Sequence, residues 1–113
     1  MELFNNGCLD VDEQDMKKFV EVLKKHGLIT ENLHDFSGHY YDGKYQIIFD
    51  EENCTGNIEN ALKESVEELA SMRIYPKGRI DYFGDYEGGY EIGDGKVTAL
   101  SHEECIMRDL DDE

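Results

Sequence analysis

The sequence predicts an α+β domain: a mostly antiparallel β-sheet with two main helices packed on one face and a short C-terminal helix. Three observations predict it. Apolar residues recur at helical spacing over residues 16–23 and again over residues 58–69. Elsewhere the pattern changes to period two, punctuated by Asp42-Gly43 and Asp94-Gly95, which are strong two-residue hairpin signals. Residues 79–100 then alternate aromatic with acidic side chains: Ile80, Tyr82, Tyr86, Tyr90 and Ile92 on even positions, Asp81, Asp85, Glu87 and Glu91 on odd ones. Successive side chains of an extended chain point to opposite faces, so one parity makes an apolar face and the other a row of carboxylates.

Taken in order, Leu3 and Phe4 open a strand and Asn5-Asn6-Gly7 reads as a turn. Asp10 is the expected cap of the first helix, with Glu13 three residues on as in a capping box. Met16, Phe19, Val20 and Leu23 form its inward stripe, Lys17, Lys18, Lys24 and Lys25 its wet side, and Gly27 its stop. The Asp42-Gly43 turn sets Tyr41 opposite Lys44, Tyr40 opposite Tyr45 and Gly38 opposite Ile47. Phe36, Tyr40, Tyr45, Ile47 and Phe49 then share the buried face, while His39, Tyr41, Lys44 and Gln46 face outward.

A second helix runs from Gly56 or Asn57 to Met72 with Ile58, Leu62, Val66 and Leu69 turned inward. Pro76-Lys77-Gly78 then opens three strands. Reading Glu87-Gly88-Gly89 as a three-residue loop pairs Tyr86 with Tyr90 and Asp85 with Glu91, and Asp94-Gly95 pairs Ile92 with Val97. Ser101 and Glu104 cap the short last helix, and residues 109–113 are expected to be a frayed acidic tail. An offset of 46 aligns Val20 with Val66, Leu23 with Leu69, Asp35 with Asp81, Tyr40 with Tyr86 and Gly43 with Gly89, which points to two repeated helix-plus-hairpin units.

A chain of 113 residues makes one domain, 1–113, able to close a modest core unaided. Its 27 acids against 11 bases give a net charge of −16, and residues 80–113 hold eleven of the acids with only two of the bases. Such a charge repels nucleic acids and anionic membranes and attracts basic partners over a Debye length of about 8–10 Å. Direct binding to nucleic acid or to a membrane is therefore not expected. Cys8, Cys54 and Cys105 are an odd number with no CxxC pair, and there is no secretory or membrane-spanning apolar run, so a reducing, cytoplasmic setting is expected.

No nucleophile elbow, phosphate loop or zinc-ligand spacing occurs, so no catalytic residue, cofactor or metal is expected; His102 and Cys105, at i and i+3, are the nearest approach to a ligand pair. The carboxylate row is the candidate surface instead. Residues two apart on a strand are about 6.6–6.8 Å apart, comparable with successive phosphates of a nucleic acid. A directly opposed Asp85 and Glu91 would cost stability, which invites a functional reason.

This composition, with the pattern from Asp81 to Glu91, resembles the small acidic inhibitors that phages make, of the anti-CRISPR and anti-restriction type. The resemblance implies a non-enzymatic protein that presents a nucleic-acid-mimicking surface to the basic channel of a CRISPR effector or restriction nuclease. The expected contact residues are Asp81, Asp85, Glu87, Glu91, Asp94, Asp109, Asp111 and Asp112. The alternatives are an immunity or antitoxin-like protein that neutralises a basic toxin, and a small enzyme or metal-binding domain.

Overall fold

The computed structural model describes residues 2–29, 37–51 and 54–111. Among them six strands form one antiparallel sheet: β1 (Leu3–Asp12), β2 (Ser37–Tyr41), β3 (Lys44–Phe49), β4 (Lys77–Gly84), β5 (Gly88–Gly93) and β6 (Lys96–Ser101), in the order β2-β3-β1-β4-β5-β6. Helices α1 (Met16–Lys25) and α2 (Glu59–Ser71) cover the inner face, and α3 (His102–Asp111) packs on the outer face against β5 and β6. The α+β architecture expected from the two periodicities is the one observed.

The core lies between the inner face and the two helices. Leu9 and Val11 of β1, Tyr45, Ile47 and Phe49 of β3, Ile80 of β4 and Tyr90 and Ile92 of β5 meet Phe19, Val20 and Leu23 of α1 and Leu62, Val66 and Leu69 of α2. Burying each such side chain is worth about 1.5–3 kcal/mol, so this layer supplies most of the force holding the fold. The Asp42-Gly43 turn gives the expected register, Tyr41↔Lys44, Tyr40↔Tyr45 and Gly38↔Ile47, and Asp94-Gly95 gives Ile92↔Val97. Asp42 and Asp94 take positive φ (45° and 52°) ahead of glycines at 76° and 75°, as a primed hairpin turn requires. Tyr40, expected in the core, is 53% exposed because β2 is, among the described residues, an edge strand. Phe36 and Asp35 lie outside the described residues.

Three local readings are corrected. Asn5-Asn6-Gly7 is no turn but the heart of β1, the strand through which the two halves of the sheet are joined. Asn5 is tolerated there, 1% exposed, because its Nδ2 donates to the carbonyls of Cys54 (3.2 Å) and Gly56 (2.9 Å). Gly7 is needed because a Cβ would lie 2.0 Å from the Arg79 carbonyl oxygen across the ladder. With β1 running on to Asp12, Asp10 does not cap a helix; it accepts from Tyr41 Oη (2.5 Å) and Gln46 Nε2 (2.9 Å), and a 3-10 turn over Glu13–Asp15 leads into α1.

The loop between β4 and β5 is residues 85–87, and the register is Ile80↔Tyr90 and Tyr82↔Gly88 in place of Tyr86 with Tyr90. Gly88 and Gly89 are therefore strand residues, and their missing side chains serve packing. A Cβ on Gly88 would strike Tyr82 Oη at 2.5 Å, and one on Gly89 would strike Asp81 Oδ1 at 2.5 Å and Cys105 Sγ at 3.0 Å. The order helix then hairpin does occur twice, as α1-β2-β3 and α2-β4-β5, with the aligned Val20, Val66, Leu23 and Leu69 all buried. The correspondence stops at the hairpins: Gly43 is a turn residue and Gly89 lies within β5, and the first hairpin joins β1 through its second strand, the second through its first.

Candidate functional site

The outer face was expected to be a wet row of carboxylates. Instead α3 lies across it. Ser101 and Glu104 start the helix with the expected reciprocal capping box (Glu104 N to Ser101 Oγ, 3.2 Å; Ser101 N to Glu104 Oε1, 3.3 Å). Cys105 then packs over Gly89 beside the buried Leu100. Two arginines complete the attachment. Arg79 makes paired 2.8 Å hydrogen bonds to Asp81, a 2.9 Å ion pair with Asp109 and a 3.2 Å bond to the Cys105 carbonyl, while Arg108 reaches Glu91 at 2.8 Å.

The eight expected contact residues are thus not one surface. Asp81, Glu91 and Asp109 are held by arginines of this same chain, and Asp109 belongs to α3 and not to a frayed tail. Glu91 faces Arg79 across the ladder, so the costly pairing of Asp85 with Glu91 does not exist. Asp85 and Glu87 lie in the β4–β5 loop at one end of the sheet, where Asp85 Oδ2 accepts from Glu2 N (2.8 Å) and Glu87 approaches His102 Nδ1 (3.3 Å). Asp94 lies at the opposite end, in the β5–β6 turn. Asp111 closes α3, and Asp112 lies outside the described residues.

A different surface takes shape around α3. At about 100° per residue, Cys105, Arg108 and Asp109 turn toward the sheet, leaving Glu103, Ile106, Met107 and Leu110 on the outward side. Ile106, Met107 and Leu110 are 46%, 59% and 63% exposed. This is an amphipathic helix placed inside out, attached by charges with its apolar stripe in water. Beside it a shallow cleft runs between α3 and β4, with Tyr82, Phe83, Cys105 and Ile106 as walls and Asp81, Glu87, Asp109 and His102 at the rim. Tyr86, 63% exposed between Asp85 and Glu87, stands at the tip of the adjoining loop.

The same end of the sheet gathers further acids. Glu2, Asp50, Glu51, Asp85, Glu87, Glu103 and Glu104 sit at the strand ends, loops and helix start that meet there, and these segments contain no lysine or arginine. The stripe is therefore an apolar patch with a one-signed border. Sequence reasoning missed it because Ile106, Met107 and Leu110 are equally compatible with a buried stripe; only the docking of α3 through Cys105 shows which side faces water.

The thiols offer little chemistry near neutrality. Burial raises Cys105, with the neighbouring Asp81 adding to it; burial raises Cys8; and burial pushes Cys54 up to about 11. Protonated thiols are poor nucleophiles and poor metal ligands. Among the described residues no group of three or more His, Cys, Asp or Glu side chains is placed to hold a metal ion, and no helix is long and apolar enough to cross a membrane. Comparison with protein-family models, curated proteins and solved structures finds no match to this chain.

Proposed function

We propose that this chain is a non-enzymatic binding protein that docks on a basic protein surface through the outward side of α3 and the Asp85–Tyr86–Glu87 loop. The observation that carries the proposal is the inverted helix: three large apolar side chains exposed on α3, bordered by Glu103, Glu104 and Glu87. An exposed apolar patch rimmed by charge is the ordinary anatomy of an interface, with the apolar centre supplying affinity and the rim steering and register. Tyr86 supplies an aromatic anchor of the kind that dominates binding energy. With a net charge of −16, a second copy would be repelled and a cationic partner drawn in.

Nucleic-acid-binding proteins are the class whose surfaces combine dense positive charge with a groove, so occluding such a groove is the inhibitory action this surface supports best. The mimicry differs in kind from a ruler of evenly spaced carboxylates, because Asp81 and Glu91 are neutralised internally. It rests on the acidic end and the stripe acting together.

The test is capture of partners from a bacterial lysate on the immobilised protein, beside a Met107→Lys/Leu110→Lys variant and an Asp85→Lys/Glu87→Lys variant. Both pairs are exposed, so circular dichroism should match wild type. A partner retained at low salt, released by salt or by nucleic acid and lost from both variants is the expected result. Equal retention by wild type and the Met107→Lys/Leu110→Lys variant would sink the proposal. Loss from both variants without displacement by nucleic acid would keep the docking surface and discard the mimicry.

A further inference from the structure

On the other side of α3, away from the proposed docking surface, a groove of about 530 Å³ opens on the outer face of β4, β5 and β6. Its lining includes Lys77, Arg79, Gly93, Lys96, Thr98 and Arg108. In a protein with more than two acids per base this is a concentration of cations, and their pairing is uneven. The strands carry four lysines and arginines: Lys44, Lys77, Arg79 and Lys96. Lys44 is paired with Asp12 and Arg79 with Asp81 and Asp109. Lys77 and Lys96 have no carboxylate partner among the described residues.

The register explains the shape of the groove. Gly78 pairs with Ile92 and Gly93 pairs with Lys96, so Lys77, Gly93 and Lys96 lie in one cross-strand row on the outer face. Neighbouring strands are about 4.8 Å apart, which sets the roots of the two lysines about 10 Å apart with the glycine between them. Nothing stands in that gap: a Cβ built on Gly93 meets no atom within 4 Å. Two lysines without a carboxylate partner among the described residues therefore flank an open floor; Asp10, across the ladder from Lys77, accepts from Tyr41 and Gln46, and the next row holds Arg79, Glu91 and Thr98, with Arg108 of α3 reaching Glu91. Glu91, which also lines the groove, is engaged by Arg108, and Asp94 borders the far rim.

We propose that this groove binds a phosphate-sized oxyanion, either free phosphate or the phosphoryl group of a small phosphate monoester. Lys77 and Lys96 donate to its oxygens from both sides, and Gly93 leaves the space it fills. Size follows from electrostatics. An extended polyanion meets the repulsion of the whole −16 charge, whereas a small anion in the slot is governed by the lysines within a few ångströms and screened from the rest.

The experiment is a ¹⁵N–¹H NMR titration of the full chain with inorganic phosphate and, separately, with glycerol 3-phosphate, each against sodium chloride at matched ionic strength. Saturable shifts at Gly78, Gly93, Lys96 and Thr98 are expected, weakened about tenfold by Lys77→Gln or Lys96→Gln, since each removes a charge-assisted hydrogen bond. Lys17→Gln, on α1, should leave them unchanged. Gly93→Val keeps every charge and has room in the fold, so its loss of binding would show that the slot and not the charge alone makes the site. Tighter binding of the ester assigns the site to a phosphorylated small molecule, and equal binding assigns it to phosphate. Shifts that fail to saturate, or that persist in Lys77→Gln, Lys96→Gln and Gly93→Val, overturn the proposal.

Discussion

On the inner face of the sheet α1 and α2 bury Phe19, Val20, Leu23, Leu62, Val66 and Leu69 against four strands, whereas on the outer face α3 buries Cys105 beside Leu100 and is otherwise held by Arg79 and Arg108. Burial of aliphatic and phenyl side chains involves no titrating group and no charge for dilute salt to screen, while partly exposed ion pairs are screened and titratable. The comparison teaches that attachment and exposure are coupled. Because α3 is fastened by charge, its own apolar side chains are free to face outward.

The largest effect that would test this division is in the core. Phe19→Ala should cost about 3–5 kcal/mol, with the whole sheet unfolding together in urea. A loss confined to α1, with the sheet intact by hydrogen exchange, would break the comparison at its stronger end.

Alkaline pH separates the faces next. Burial raises Tyr90 from its ordinary value near 10 to about 12, and Cys54 from near 9 to about 11. The unfolded chain ionises these groups first, so the stability their neutral burial carries is complete below pH 9 and is lost progressively as pH rises through about 11 and then 12. Urea midpoints measured from pH 8 to 12 should fall, and Tyr90→Phe should flatten the part between 10 and 12. An unchanged slope in that variant would mean the inner face does not hold the tyrosine neutral.

Smaller still is the tether of α3. Arg79→Ala removes the shared partner of Asp81 and Asp109 and should weaken α3 docking by about 1–2 kcal/mol. Hydrogen exchange should quicken in residues 102–111 with β1 and β3 unaffected, and added salt should narrow the difference between variant and wild type. Exchange rising equally in both layers would show that the faces are one cooperative unit.

The smallest effect has the opposite sign. Arg73 ends α2 at φ 62°, where Ile74 N bonds to Leu69 O (2.9 Å) and Arg73 N to Ala70 O (3.0 Å), a left-handed position that glycine usually fills. Arg73→Gly should raise stability by up to about 1 kcal/mol, read as a higher urea midpoint.

The readings that succeeded are those in which a few neighbouring residues decide the outcome. Asp42-Gly43 and Asp94-Gly95 set their registers because the turn geometry needs positive φ at both positions, and Ser101 with Glu104 capped α3 because the partners are three residues apart. Two of the readings that failed concern glycine and asparagine with two uses. Asn5-Asn6-Gly7 and Gly88-Gly89 carry turn chemistry, yet each sits within a strand where a distant group, the Cys54 carbonyl, the Arg79 backbone or the Tyr82 ring, requires that residue. Of the candidate surface, Asp85 and Glu87 were named as part of a strand row but stand in a loop, and the stripe of Ile106, Met107 and Leu110 was not legible at all.

By itself, then, the sequence determined the fold class, the two core helices, two of the hairpin registers and a net charge of −16. These depend on local periodicity, on turn stereochemistry and on a sum over residues. Tertiary structure alone decided which carboxylates remain available. Pairing with a guanidinium depends on where Arg79 and Arg108 arrive once β4, β5 and α3 are assembled, and a one-residue change of register moves every side chain to the other face.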